Sequence, residues 1–237
     1  AHLLVGSIDF VRSWNFHTRA FEFAVPELAA NVAVAPQSRV FAVANHQECS
    51  PTDERRSAHP QSTTLYDFDQ RQLVAVLPGY GRSVTISPDG KLVVSGSRET
   101  GIVLWRRETG EVLKLANPEL WFSGISTFSP DGKWLLLEPA AREPLRIWSV
   151  AQKRVVAYLD DPDLPVQVVA WSADSRWVAA GGVSQTIGLW RIADTESWET
   201  TSSPQVLRPK RVLHGHEGRV AALAFSPDAR WLASGAG

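Results

Sequence analysis

Few residues in this chain are spaced for chemistry, and those that are lack their usual companions. His46 and Cys49 stand in a His-x-x-Cys spacing, a half-site for zinc. A zinc ion needs a second pair of N or S donors, and no second pair accompanies them. His214 and His216 are two positions apart and on a strand would face opposite ways. There is no Gly-x-Ser-x-Gly elbow to expose a nucleophile and no His-Glu-x-x-His helix to hold zinc. No glycine-rich loop follows a strand and opens a helix, as a phosphate cradle would. Asp89, Asp131, Asp174 and Asp228 recur at regular intervals, which marks them as turn formers rather than an acid–base pair. We therefore assign no catalytic, metal or cofactor residue. A site assembled from several elements would leave no local motif, so a composite-site enzyme is kept as the alternative.

The elements that would position such residues are short strands in a repeat. The turn Ser87-Pro88-Asp89-Gly90 returns as Ser129-Pro130-Asp131-Gly132. Degenerate copies stand at Ala35–Ser38, Ser172–Ser175 and Ser226–Ala229. Each is flanked by apolar, strand-forming runs, and Pro, Asp and Gly suit successive positions of a tight hairpin. A second marker keeps step: an aromatic followed by a polar residue ends a strand at Trp14, Tyr66, Trp105, Trp148 and Trp190. Two markers sharing a period near forty residues define four-stranded units of the size of propeller blades. One such sheet cannot bury both faces, so neighbours must stack. The expected fold is all-β: a β-propeller region of four-stranded antiparallel blades, four complete and two partial. The boundaries are a partial blade at 1–25, blades at 26–77, 78–115, 116–159 and 160–213, and a partial blade at 214–237. We take 1–237 as one propeller region.

Composition narrows the function classes. The 237 residues carry 24 basic and 25 acidic side chains, a formal net charge of −1. No overall field draws such a chain to nucleic acid or an anionic membrane. The basic cluster Arg208, Lys210 and Arg211 is short and reads as a solvated loop. Apolar runs are strand-sized, far below the ~20 residues of a membrane helix. Cys49 is the only cysteine, which excludes an intrachain disulfide and fits a reducing, cytoplasmic setting.

The repeat resembles the WD-repeat family over nearly the whole chain. The best copies are Phe128 to Leu135, Leu92 to Ser97 leading to Ile102–Trp105, and Leu213-His214-Gly215-His216 leading to Phe225–Asp228. The resemblance implies that a blade is braced by His, Ser or Thr, Asp and Trp in one hydrogen-bonded set. On that basis Trp14, Ser95, Trp105, Trp148, Trp190, His216 and Ser234 are structural repeat residues. The Ser95–Trp105 blade departs from the pattern, with Tyr80 where His is expected and Glu99 where Asp is expected.

The resemblance also implies a non-catalytic scaffold for protein–protein interaction, needing no cofactor and binding neither nucleic acid nor membrane. The alternative is an enzymatic propeller, hydrolase or lactonase-like, with its site at the central axis. Loops joining a fourth strand to the next first strand form the usual partner face in the family. The rim so placed comprises Tyr80, Arg82, Trp121, Asp161 and Asp163. Two insertions interrupt the period, Asn45–Ser62 and Ala193–Pro209, and Trp198 in the second either anchors a partner or tucks against its own blade. The chain opens without Met and on a second strand, and ends on a second strand, so we read it as an internal fragment of a longer propeller.

Overall fold

The computed structural model describes residues 2–6, 11–15, 17–25, 29–45, 62–78, 83–97, 101–116, 126–137, 144–160, 166–192, 198 and 201–237. They form an all-β protein whose strands are short and antiparallel, in the four-stranded sheets of β-propeller blades. The chain divides into two compact units, Ala1–Gly124 and Ile125–Gly237.

The first unit holds three sheets. Strands β1 (His2–Gly6), β2 (Val11–Asn15) and β3 (Ala20–Val25) make the first. Then come β4 (Ala29–Val34), β5 (Val40–Asn45), β6 (Ser62–Asp67) and β7 (Gln72–Pro78), and after them β8 (Ser83–Ile86), β9 (Leu92–Ser97), β10 (Gly101–Arg106) and β11 (Val112–Ala116). Strands pair in sequence order, which short hairpins enforce. The middle sheet is covered on both faces. Val11, Val25, Phe41, Val43 and Tyr66 pack on one side of it, and Ala42, Ala44, Leu65, Leu77, Val84 and Val93 on the other. Hence β5 is buried along its whole length, and apolar from Val40 to Ala44, rather than alternating.

The second unit repeats the plan with one addition. Its sheets are β12 (Ser126–Phe128), β13 (Trp134–Leu137), β14 (Leu145–Ser149) and β15 (Arg154–Leu159); then β16 (Val166–Trp171), β17 (Trp177–Gly182), β18 (Ile187–Arg191) and β20 (Arg211–Leu213); then β21 (Val220–Phe225) and β22 (Leu232–Ala236). The addition is β19 (Gln205–Leu207), which leaves its own blade and pairs in parallel with β15 of the preceding one. The repeat period predicts four strands over residues 160–213, with 193–209 as a loop. Three residues with no hairpin partner beside them carry no local strand signal, so β19 escaped it.

The Ser-Pro-Asp-Gly turns are built as their residues dictate. In the first, the Ser87 hydroxyl donates to Asp89 Oδ1 at 2.6 Å and accepts the Leu92 amide at 2.9 Å, while Asp89 Oδ1 takes the Lys91 amide at 3.0 Å. The same three bonds recur around Ser129–Asp131, Ser172–Asp174 and Ser226–Asp228. The fourth turn position is left-handed throughout these copies: Gly90, Gly132, Ser175 and Ala229 have φ of 73°, 72°, 61° and 57°. Glycine meets that requirement without strain, whereas Ser175 and Ala229 carry a cost. The recurring aspartates are thus turn formers. Each hairpin satisfies its own polar groups and places a basic residue directly after the turn.

Candidate interaction surfaces

All five rim candidates, Tyr80, Arg82, Trp121, Asp161 and Asp163, lie outside the described residues, as do His46 and Cys49. The strand ends from which their loops emerge are described. Ser83, the first residue of β8, is 3% exposed, and its hydroxyl has no hydrogen-bond partner. Asn45, the last residue of β5 at the mouth of the first insertion, is fully buried. Its amide donates to Thr64 Oγ1 at 3.3 Å, but its Oδ1 has no partner. Buried polar atoms are nearly always satisfied, so two orphans at the same end of adjacent sheets are a feature of that end, although Ser13 Oγ and Trp171 Nε1 are orphaned elsewhere.

Between them runs a bridge of hydroxyls. Ser95 Oγ donates to the Ser83 carbonyl at 2.9 Å and stands 2.5 Å from Thr63 Oγ1 of the neighbouring sheet. Ser95 was legible as a brace from the family pattern. Thr63 was not, although the run Ser62-Thr63-Thr64 opening an otherwise apolar strand is a visible signal.

The other repeat residues fall into different surroundings. Trp148 and Trp190 are buried, while Trp105 is partly buried against the core of the first unit. Trp190 spends its indole N–H on the Leu207 carbonyl of β19, at 3.2 Å, rather than on a Ser–His–Asp set. Trp14 is 42% exposed and meets Phe21 edge-on at 5.9 Å. His216 Nε2 and Ser234 Oγ are 2.8 Å apart, on a half-buried and an exposed residue respectively.

The second insertion is a strap between two sheets. Trp198 is 1% exposed, with its ring 5.0 Å from Trp134 at 73°. It joins the apolar cluster of Leu136, Ile147 and Val156. Its N–H donates to Gln205 Oε1 at 3.2 Å, and its carbonyl accepts from the Arg154 guanidinium at 2.9 Å. The same guanidinium reaches the Thr201 carbonyl at 2.6 Å. Trp198 therefore tucks in, joining a core shared by the preceding blade (Trp134, Ile147) and its own (Trp171, Trp190). In the basic cluster, Arg208 pairs with Asp160 at 3.1 Å.

Stacked four-stranded antiparallel sheets with a self-bonded Ser-Asp hairpin in each unit define a β-propeller repeat. The family model for the WD domain, G-beta repeat, matches at residues 71–106, 154–191 and 207–237. The WD repeat-containing protein SL1-17 of Schistosoma mansoni is 31% identical over 176 residues, covering 73% of this chain and 51% of that protein. The small ribosomal subunit protein RACK1 of Drosophila melanogaster is 31% identical over 124 residues, 48% of this chain and 38% of that protein. The small ribosomal subunit protein RACK1z of Oryza sativa subsp. japonica is 30% identical over 123 residues, 48% and 36% respectively. The chain belongs to the WD-repeat family. It spans between about a third and a half of the length of these relatives.

Proposed function

We propose that the chain is a non-catalytic protein-interaction scaffold that presents its loop-bearing strand ends to a protein or peptide. One observation carries this: the two ends of the strands are built differently. At the hairpin end four turns close on themselves through Ser and Asp. At the opposite end, Asn45 Oδ1 and the Ser83 hydroxyl are buried without a partner among the described residues, at the strand ends that lead in sequence to the first insertion and from the segment of Tyr80 and Arg82. Surfaces with polar capacity in hand, set on rigid sheets, are suited to recognition. Relatives that carry small ribosomal subunit in their names support an assembly role, which needs rigid surfaces rather than chemistry.

The rim of Tyr80, Arg82, Trp121, Asp161 and Asp163 is the surface we assign to the partner, with Trp121 and Arg82 as anchors of the kind that dominate interfaces. Binding of this type requires no cofactor. Trp121→Ala and Arg82→Ala weaken binding of the partner while leaving the melting temperature near that of the parent. Equal thermal destabilisation with unchanged affinity contradicts the assignment.

A further inference from the structure

The hairpin end of the second unit carries a feature that the rim does not use. Antiparallel topology puts the β12–β13 and β14–β15 turns at one end of their sheet and the β16–β17 and β21–β22 turns at the same end of theirs. Hydrogen bonds tie the β12–β13, β14–β15 and β16–β17 turns together. The Val150 amide donates to the Lys133 carbonyl at 3.0 Å and the Ile192 amide to the Arg176 carbonyl at 2.7 Å. The Asp131 amide donates to Ser175 Oγ of the next sheet at 3.0 Å. Around them stand the exposed cations Lys133, Arg176, Arg191 and Arg230.

The first unit has cations at the same repeat positions, but there each has a carboxylate. Arg39 is paired with Asp69, Lys91 with Glu108 at 2.9 Å, and Arg106 with Glu111 at 3.2 Å. In the second unit none of Lys133, Arg176, Arg191 and Arg230 forms an ion pair among the described residues. The nearby carboxylates Asp131, Asp174 and Asp228 each hold a serine hydroxyl and a backbone amide through Oδ1, and Asp174 also feels the Arg176 charge without a salt-bridge contact. With Lys153 and Arg154, the described turns 129–133, 149–154, 172–176 and 226–230 and residue 191 hold six cations against three carboxylates.

We propose that this hairpin end of the second unit is a second docking surface, fitted to an acidic peptide segment of a protein partner. The observations favour a peptide over a nucleic acid. Carboxylates interleave with the cations, which suits discrete Asp or Glu side chains and repels a continuous phosphate chain. The rest of the chain supplies no compensating field, its formal net charge being −1.

The test uses the whole chain, a fluorescein-labelled Glu-rich peptide, and fluorescence anisotropy at low and high salt, with a poly(U) oligonucleotide as the competing probe. Saturable, salt-sensitive peptide binding is expected, and Lys133→Glu with Arg176→Glu weakens it by about tenfold or more. The paired reversal Arg39→Glu with Lys91→Glu, on the first unit, changes it by less than about twofold, because those cations are already neutralised. Neutral Lys133→Gln with Arg176→Gln separates charge from folding and gives an intermediate loss. Absence of peptide binding, equal loss from both reversals, or tighter binding of poly(U) overturns the proposal. The rim variants at Trp121 and Arg82 leave this peptide affinity unchanged, so the rim assignment and this one fail separately.

Discussion

Trp198 stands edge-on to Trp134, ring centroids 5.0 Å apart, across the boundary between two blades. A tryptophan in a polar connection has thereby become part of a core. Its indole N–H and carbonyl are both bonded, and the strand that follows, β19, pairs with β15 of the blade it covers. The insertion thus fastens one blade onto the edge of the next.

This fastening has a measurable size. Trp198→Ala removes a fully buried ring and is expected to destabilise the second unit by about 3–4 kcal/mol in urea denaturation. Trp231 occupies the position equivalent to Trp134 after its own turn but is 74% exposed. Trp231→Ala is expected to stay within about 0.5 kcal/mol. Similar losses from the two would show that Trp198 contributes no more than a surface residue.

The turn geometry makes an unusual prediction about small substitutions. Ala229 sits at φ 57° where other copies have glycine, so Ala229→Gly is expected to stabilise by about 0.5–1 kcal/mol. Ser175 shares the conformation, but its hydroxyl accepts the Asp131 amide at 3.0 Å. Ser175→Gly gives no such gain, because relief of strain is offset by a lost hydrogen bond worth about 1 kcal/mol. Thermal melts of both variants check the contrast.

Stability toward acid follows from the same turns. Burial pushes the Asp174 carboxyl up, but the Ser172 hydroxyl, the Arg176 amide and the Arg176 charge together bring it below its ordinary 3.8. The Ser226 hydroxyl and the Arg230 amide hold Asp228 low as well, against a small opposing effect of desolvation. A carboxylate with a depressed folded-state pKa contributes stability above its unfolded value, and that contribution is lost as pH falls through the folded one. Both turns are therefore expected to loosen below about pH 4. Asp174→Asn flattens the acid limb of the stability curve, and an unchanged limb would contradict the turn's part in it.

The bridge between Thr63 and Ser95 links two sheets through buried hydroxyls. Ser95→Ala leaves Thr63 facing an apolar methyl and is expected to cost about 1–2 kcal/mol. A double-mutant cycle with Thr63→Val is expected to show positive coupling, since the two hydroxyls share a hydrogen bond. Additive losses would show that the two do not interact.

What the sequence disclosed and what it hid divide along a physical line. Ser129, Asp131 and Gly132 form their turn from groups within a few residues of one another, so type and spacing sufficed. Gly110 in the β10–β11 connection has φ 71° for the same local reason. Trp198 and Gln205–Leu207 acquire their places from Trp134 and Ala157–Leu159, 64 and 48 positions earlier, and no local pattern encodes such a partner. Thr63 was hidden in the same way, its partner Ser95 being on another sheet. At the rim, polar and aromatic side chains in long connections were legible as candidates from residue type and from the family pattern. Their geometry depends on loop conformation, which neither periodicity nor spacing encodes.

The most direct test of the scaffold reading is site-specific photocrosslinking in cells, with the reactive side chain placed at position 121, at 82, or at Val112 on the exposed outer strand β11. The account predicts that positions 121 and 82 capture the same discrete protein and that position 112 does not. Capture that is equal at 112, or absent at both 121 and 82, would contradict a partner face at the loop-bearing ends of the blades.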